Sequence, residues 1–192
     1  FMKIPGELRN MVYNELFFND GHTFKVDYSL ATKIAMLSTS RLYRMEAGSF
    51  FYSRAHLVIP DYFSPARSSG STILPPVTDA YVHRLKRVTL SVRSSYSRHI
   101  IARRSATLIG SLAKTGATFD EVNIAIQRAH AVGLTRLLNT RFDDSILPMA
   151  HPIVHSLIQL FKARVSKIIR IYLSSAWFSV SVAYHLEHTF RT

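Results

Sequence analysis

Three short apolar segments most constrain what this chain can fold into. Residues 88–92 read VTLSV, residues 122–126 read VNIAI and residues 169–173 read IRIYL. Each has the length and β-branched character of a buried strand. Strands separated by helices favour a parallel sheet with right-handed crossovers. The sequence therefore predicts a small β-α-β-α-β unit with helices packed on a mostly parallel sheet.

The segments between these strands carry apolar residues at helical spacing. Pro152 suits the first turn of the second helix, where its missing N–H costs no hydrogen bond. The apolar positions are Ile101, Leu108, Ile109 and Leu112 in the first helix, and Ile153, Leu157, Leu160, Phe161 and Val165 in the second. After the last strand, alternation of Phe178, Val180, Val182 and Tyr184 predicts an additional edge strand.

The first residues of the chain predict a helix of their own. Pro5 and Glu7 favour a helix start, because proline fits the first turn and a carboxylate suits the positive end of the helix dipole. A second, longer helix is predicted to end near Tyr52, and we expect the two to bury facing stripes. The stripes are Leu8, Met11, Val12 and Leu16 on the first helix, and Met36, Ser40, Tyr43, Ala47 and Phe50 on the second.

Two further short strands are predicted beside these helices. His22, Phe24 and Val26 alternate with polar residues, and Leu57-Val58-Ile59 is a short apolar run. The aromatic end of the second helix, Phe50-Phe51-Tyr52, has the spacing of core residues rather than of an exposed stacking platform for bases. Residues 1–59 are therefore predicted to form a small α+β unit.

Two segments of this unit carry a resemblance to a known family. Residues 4–16 read IPGELRNMVYNEL, and residues 40–52 read SRLYRMEAGSFFY. Together they resemble the F-box-like domain of a large group of filamentous-fungal proteins. The resemblance implies a non-catalytic protein-interaction module that is a substrate-recognition subunit of a cullin-RING ubiquitin ligase. Residues at or next to the contact with its Skp-type adaptor would be Ile4, Pro5, Leu8 and Val12, and the later sheet region would hold an unknown client.

The remaining sequence divides into a loop and a second region. Residues 60–79 contain Pro60, Pro65, Pro75 and Pro76 around a serine-rich stretch, without an apolar period. We predict an F-box-like unit at 1–59, a loop or linker at 60–79 and a β/α region with a basic surface at 80–192. The fold class is α+β.

The charge of the chain is strongly positive. Its formal net charge is +12, and the stretch from residue 84 to residue 114 has eight basic residues and no acidic one. Such a field attracts nucleic acid, anionic lipid or an acidic protein face. Strand alternation is expected to disperse these charges, which predicts only weak, sequence-independent nucleic-acid binding. The basic residues are Arg84, Lys86, Arg87, Arg93, Arg98, Arg103, Arg104 and Lys114.

The chain contains no cysteine, which excludes disulfides, thiolate zinc sites and cysteine nucleophiles. No apolar run approaches the roughly 18 residues that a membrane-spanning helix needs. These features predict an intracellular protein, cytoplasmic or nuclear, without a membrane span. A basic protein that binds nucleic acid or an anionic surface, or a host-directed fungal protein, remains the alternative.

Signatures of catalysis and metal binding are scarce. His151 and His155 have the spacing of two ligands on one helix face, but Pro152 stands where a zinc hydrolase has glutamate, and helix capping accounts for them better. Ser111-x-x-Lys114 and Lys114-Thr115-Gly116 match two β-lactamase signatures, yet they share one lysine, and a helix end explains them. The sequence predicts no enzyme, no metal and no cofactor.

Overall fold

The computed structural model describes residues 3–25, 41–60, 81–94, 99–128 and 145–191. The helices in these ranges are α1 (Gly6–Phe18), α2 (Arg41–Arg54), α3 (His99–Lys114), α4 (Pro152–Lys162) and α5 (Val180–Arg191). The strands are β1 (Thr23–Lys25), β2 (His56–Ile59), β3 (Arg87–Ser94), β4 (Phe119–Arg128), β5 (Ile146–Leu147), β6 (Ser166–Ser174) and β7 (Trp177–Phe178). A short 3₁₀ turn, Val82–Arg84, precedes β3.

Five strands form one sheet in chain order, β1-β2-β3-β4-β6, and each neighbouring pair is parallel. The fold is therefore mixed α/β; of the three predicted strands, β3 and β4 lie inside the sheet and β6 is its last strand. β5 and β7 form a separate two-stranded pair. Parallel strands in chain order, joined by crossovers of one hand, place their helices on the same side of the sheet.

The core lies between this sheet and the helices on one of its faces. Alternate residues of the strands point into it and are almost fully buried, as the period of two requires. These residues are Leu57, Ile59, Val88, Leu90, Val92, Val122, Ile124 and Ile126. On β6, Ile169, Ile171 and Leu173 pack partly buried against the same core. The predicted inward direction of Val88, Leu90 and Val92 is confirmed.

The short strand pair predicted near the amino terminus belongs to this same sheet. β1 pairs with β2 as predicted, and β2 then pairs with β3 over four residues. The sequence predicts the strand pair in a separate unit at 1–59, whereas in the structure it is part of the sheet of the β/α region. A paired β2 satisfies backbone groups that would otherwise lie unpartnered beside the core.

The packing face of α1 differs from the predicted one. The buried residues of α1 are Tyr13, Phe17 and Phe18, whereas Leu8 and Val12 are exposed. The prediction that the stripe of Leu8, Met11, Val12 and Leu16 is buried against α2 is wrong. Three aromatic rings remove more apolar surface from water than the aliphatic stripe would, so they take the inward face.

α1 and α2 nevertheless pack together, through residues of both motif segments. Arg9 forms an ion pair with Glu46 at 2.8 Å, and the rings of Tyr13 and Phe50 lie 5.7 Å apart. Phe51 and Tyr52 are fully buried, which confirms their assignment to the core. The two segments that carry the family resemblance therefore form one structural unit.

Tyr81, at the start of the β/α region, contacts α2 through its ring and its hydroxyl. Its ring stacks on Tyr52 at 5.2 Å, and its hydroxyl donates to the carbonyl oxygen of Arg44. A Cβ atom at Gly48 would lie only 3.0 Å from the Tyr81 ring. Glycine at position 48 therefore allows the ring to lie against the helix backbone.

The last predicted strand is largely a helix. Trp177–Phe178 is a two-residue strand, but α5 begins at Val180 and buries Val182 and Leu186, four residues apart. Alternation over such a short stretch does not distinguish a strand from one side of a helix, and the spacing of four decides it. The prediction of an edge strand through Tyr184 is wrong.

Some predictions fall outside the described residues. These are the positions of Val26, Met36, Ser40 and Arg98, the side chain of Tyr43, and the loop at 60–79 apart from Pro60.

Two predictions about helix ends concern residues that the structure describes. α3 ends at Lys114, followed by Gly116 with φ of 66°, and α4 begins at Pro152. Both match the expected chemistry of helix ends.

Candidate functional site

A stripe of exposed apolar side chains runs along the outer side of α1. Leu8 is 51% exposed, Met11 65% and Val12 40%. Contiguous apolar side chains left in water mark interaction surfaces more often than single ones do. We call this set the α1 stripe; it consists of Ile4, Leu8, Met11, Val12 and Leu16.

All four residues that the resemblance assigns to adaptor contact are accessible. Ile4, Leu8 and Val12 belong to the α1 stripe, and Pro5 is exposed at the start of the helix. Leu8 and Val12 lie one turn apart on α1, and Ile4 and Pro5 directly precede the helix. The buried rings on the opposite side fix the helix, so the stripe faces away from the core.

A shallow cleft of about 610 Å³ lies beside the α1 stripe. Met11, Val12 and Leu16 line it from α1, and Arg54 lines it from the end of α2. The Arg54 guanidinium lies 4.2 Å from the centre of the Phe50 ring, a cation–π contact that holds it at the cleft. Glu7 and Glu15 add carboxylates to the lining. The surface thus combines an apolar stripe with a charged border.

A second surface is the face of the sheet that the described helices do not cover. Its side chains alternate with the core residues, so they point away from the helices. We call it the open face. Its members are Thr23 and Lys25 on β1; His56 and Val58 on β2; Arg87, Thr89, Ser91 and Arg93 on β3; Glu121, Asn123, Ala125 and Gln127 on β4; and Ile168, Arg170, Tyr172 and Ser174 on β6.

A polar network connects β4 and β6 on the open face, near the amino ends of the two strands. The Asn123 amide nitrogen donates to the Glu121 carboxylate at 3.0 Å, and the Arg170 guanidinium pairs with the same carboxylate from the neighbouring strand. The hydrogen bond from Asn123 is the largest cause that lowers the pKa of Glu121. Burial opposes this effect, and Arg170 lowers the pKa further. Glu121 is thus held ionised on a face that is otherwise positive.

Replacing Asn123 by alanine is expected to raise the pKa of Glu121 toward the ordinary value for glutamate, because the charged form loses its donor. In the wild type, the lowered pKa stabilises the fold above the ordinary value of about 4.3. That contribution disappears as pH falls through the folded-state pKa. Carboxyl NMR titration measures the change. Gln127→Ala, on the same strand and face, is the control; equal curves for wild type and Asn123→Ala would contradict the role of the amide.

His56 forms a second polar contact on the open face. Its Nε2 lies 2.7 Å from the Thr89 hydroxyl of the adjacent strand. Burial, followed by the positive charge of Arg87, lowers the pKa of His56. The ring is therefore neutral near pH 7, and the contact with Thr89 is a hydrogen bond between neutral groups.

The predicted basic residues do not gather on one surface. Arg87 and Arg93 lie at opposite ends of β3 on the open face, whereas Arg103 and Arg104 are exposed on α3, in the helix layer. Arg84, Lys86 and Lys114 are exposed at the ends of elements. The predicted dispersal of charge thus holds for the described members of the set.

A mixed-charge cleft of about 540 Å³ lies at the amino ends of the central strands. Arg54, Lys86 and Arg87 line it together with the carboxylates of Asp120 and Glu121. Cations and anions in one lining balance each other in part, so this cleft has no strong preference for either sign of ligand.

His151 and His155, which have the spacing of two metal ligands, have different roles in the structure. His151 is buried and caps α4, because its Nδ1 accepts a hydrogen bond from the Ile153 amide at 3.2 Å. His155 is exposed one turn later. Within the described ranges, no three histidine or carboxylate side chains are grouped as metal ligands.

In the part of the chain that the structure describes, no helix has both the length and the apolar character needed to cross a membrane.

Sequence reasoning missed several residues of these surfaces. Met11 and Leu16 were assigned to a buried stripe, and Asn123, Arg170 and Tyr172 were seen only as the alternate residues of core strands. The period of two places the last three opposite the core. The exposure of Arg170 and Tyr172 depends on the described helices lying on one side of the sheet, which the local pattern does not specify.

No protein-family model, curated protein or solved structure matches this chain. A function for this chain is therefore inferred from the geometry of the α1 stripe and the open face.

Proposed function

We propose that this chain is a non-catalytic protein-interaction module with two binding surfaces. The α1 stripe docks on a Skp-type adaptor, and the open face holds a client protein. The proposal makes the chain an intracellular substrate-recognition subunit of a cullin-RING ubiquitin ligase. The single observation that carries it is the exposure of the α1 stripe on a helix whose opposite side is fixed by buried aromatic rings.

The position of the α1 stripe within the motif supports an adaptor contact. The family resemblance assigns this contact to Ile4, Pro5, Leu8 and Val12, and all four are accessible. An exposed apolar stripe on a surface helix gains free energy when a partner covers it, at roughly 25 cal/mol for each Å² of apolar surface removed from water. The ion pair of Arg9 with Glu46 supports α1 against α2, so the stripe is presented on a rigid element.

The open face supports the second half of the proposal. A sheet whose strands follow in chain order, with all described helices on one side, leaves a broad surface of alternating side chains for a partner. That surface presents Arg93, Arg170 and Tyr172, and arginine and tyrosine are enriched in protein interfaces. The two proposed binding surfaces use different elements, so adaptor and client bind without competing.

The experiment is a direct mixing of two purified proteins. We expect the full chain and a Skp-type adaptor to co-elute from a sizing column as a one-to-one complex. An adaptor with its own F-box-binding surface already occupied by a known F-box peptide is the matched control and should not join the complex. Specific interfaces of standard size are occupied at concentrations of about 10 μM. Separate elution of the two proteins at this concentration would contradict the proposal that the chain binds a Skp-type adaptor.

A further inference from the structure

β6 is the last strand of the sheet that the structure describes, and its outer edge has no strand beside it there. The strand is nine residues long and pairs with β4 along its inner edge. Alternate residues of a strand direct their backbone N–H and C=O groups to opposite edges. The Ser166 hydroxyl bonds to the N–H and the carbonyl of Ile168, and no other described residue bonds to the backbone of β6 from outside the β4 ladder. Within the described ranges, the rest of this edge is open to a partner strand.

The side chains of β6 that face the helices are less buried than their neighbours on β4. Val122, Ile124 and Ile126 have no solvent exposure, whereas the residues in register with them on β6 are only partly buried. These residues are Ile169, Ile171 and Leu173. On the opposite side of the strand, Ile168 is 45% exposed and Tyr172 is 53% exposed. A further strand beside β6 would therefore cover apolar surface on both sides of it.

The helix layer extends to the outer side of β6. α3 connects β3 with β4 and α4 leads into β6, so these two helices cover the strands up to β6. α4 packs against α3 on one side and against α5 on the other, with the Phe161 and Phe190 rings 5.3 Å apart. Phe190 of α5 also lines a cleft of about 680 Å³ together with Ser166 and Lys167 of β6. α5 is thus the outermost helix of the row, beside the place that a further strand would occupy.

An extended polypeptide matches such an edge, because its N–H and C=O groups repeat at the spacing of those of the strand. The charge of β6 disfavours a second copy of this chain in that place. β6 carries Lys167 and Arg170 and no carboxylate. Arg170 pairs with Glu121, whereas Lys167 is exposed and forms no ion pair with a described residue. Two copies would bring these cations together in addition to a net charge of +12 each, so a strand with a carboxylate near Lys167 fits better.

From these observations we infer that the outer edge of β6 binds an extended segment of the client, which adds a strand to the sheet. Backbone pairing along the edge supplies the affinity. Apolar side chains at alternate positions of the segment cover Ile169, Ile171 and Leu173 beside α5, and a carboxylate pairs with Lys167. The inference rests on the proposed function, because it names the chemistry by which the client binds next to the open face.

The probe is a fluorescein-labelled peptide of about nine residues, which spans roughly 30 Å when extended, the length of β6. It consists of one aspartate followed by alternating threonine and valine. The aspartate and the valines share one side of the extended peptide, as Lys167, Ile169, Ile171 and Leu173 do on β6. A second peptide of reversed sequence covers the opposite strand direction. Fluorescence polarisation with the full chain, titrated to about 100 μM, should show binding of at least one of them.

Methylation of the peptide nitrogens distinguishes backbone pairing from contacts of side chains alone. Every second N–H of a bound strand points at β6. Two isomers of the binding peptide, methylated at all valines or at all threonines, have the same composition. One isomer should bind at least about tenfold more weakly than the other, since only one of them loses the hydrogen bonds to β6. Equal affinities of the two isomers would overturn the inference of strand pairing.

Variants and hydrogen exchange locate the site. Lys167→Glu should weaken binding of the aspartate peptide about fivefold, and a peptide with lysine in place of aspartate should recover it. Lys25→Glu is the matched control, since it makes the same change of net charge at an exposed residue of β1, the other edge strand of the described sheet, and should leave binding unchanged. Added peptide should slow exchange of the backbone amides in residues 166–174 and not in residues 23–25. Slowing in β1 alone would overturn the assignment to β6.

Adaptor titration of the same samples separates this inference from the proposed function. Binding of both peptide and adaptor supports both. Adaptor binding by a chain that binds neither peptide overturns the inference about β6 alone, and peptide binding without adaptor binding overturns the adaptor half of the proposed function alone. Absence of both activities overturns both. Sedimentation of the free chain tests for a second copy: a dimer that the peptide dissociates would overturn the client inference in favour of self-association.

Discussion

Replacing Phe51 by alanine is expected to lower the free energy of unfolding by about 3 to 5 kcal/mol. The Phe51 ring, on α2, has no solvent exposure and contacts two other elements: between ring centres it lies 5.3 Å from Phe17 of α1 and 5.0 Å from Phe24 of β1. The ring of the neighbouring Tyr52 lies 5.0 Å away. Alanine would leave a cavity that these surrounding aromatic rings fill only in part.

Thermal unfolding measures this effect. For a chain of this size we expect a decrease in Tm of roughly 10 °C, since each kcal/mol corresponds to about 2 to 4 °C. Met45→Ala on the same helix is the control, because Met45 is exposed and its replacement should shift Tm little. Equal melting temperatures for the two variants would contradict the position of Phe51 at the junction of α1, β1 and α2.

Replacing Leu8 and Val12 together by aspartate is expected to weaken adaptor binding by at least about 100-fold. Central apolar residues of an interface contribute about 2 kcal/mol or more each when they are lost, and the introduced carboxylates would be buried without partners. Both side chains are at least 40% exposed in the free protein. The free energy of unfolding should therefore change little, and the loss should be specific to binding.

The matched control is Val180→Asp with Tyr184→Asp on α5. These two residues are also exposed and four positions apart on a helix, but they lie at the other end of the chain. Isothermal titration with purified adaptor should give wild-type affinity for this control. If both double variants bind equally well, the α1 stripe does not form the adaptor contact; if both fail, the binding surface extends to α5 or the variants do not fold.

The central sheet was predictable because its signal is local and repeated. The three segments at 88–92, 122–126 and 169–173 have apolar residues at alternate positions, and the helices between them have the period of 3.6. Both periods follow from backbone geometry alone. Parallel pairing then follows from the helical connections, since they bring each strand back in the same direction.

The packing of α1 was not predictable from its pattern. The helix has two apolar sets, the aliphatic stripe around Leu8 and Val12 and the aromatic set of Tyr13, Phe17 and Phe18. Both recur at helical spacing, so periodicity does not say which set is inward. The neighbouring elements decide, because Phe24 and Phe51 offer the aromatic set partners at 5.7 Å each from Phe18.

The direction of the side chains on the open face could be predicted from the sequence, but their exposure could not. Alternation along the strand predicts that Arg87 and Arg93 point away from the side of Val88, Leu90 and Val92, and the structure confirms this direction. Whether a second helix layer covers those side chains is a property of the whole topology. Strand order in a sheet is set by long-range pairing such as that of β2 with β3, for which a single strand carries no local signal.

The most direct test of adaptor docking at the α1 stripe is site-specific photo-crosslinking. Benzoylphenylalanine is placed either at Met11, 65% exposed in the middle of the stripe, or at Tyr184, 73% exposed on α5. Each protein is irradiated with a purified Skp-type adaptor, and the products are identified by mass spectrometry. We predict a one-to-one crosslinked product from position 11 and none from position 184. Crosslinking from position 184 without any from position 11 would contradict the proposal that α1 is the docking element.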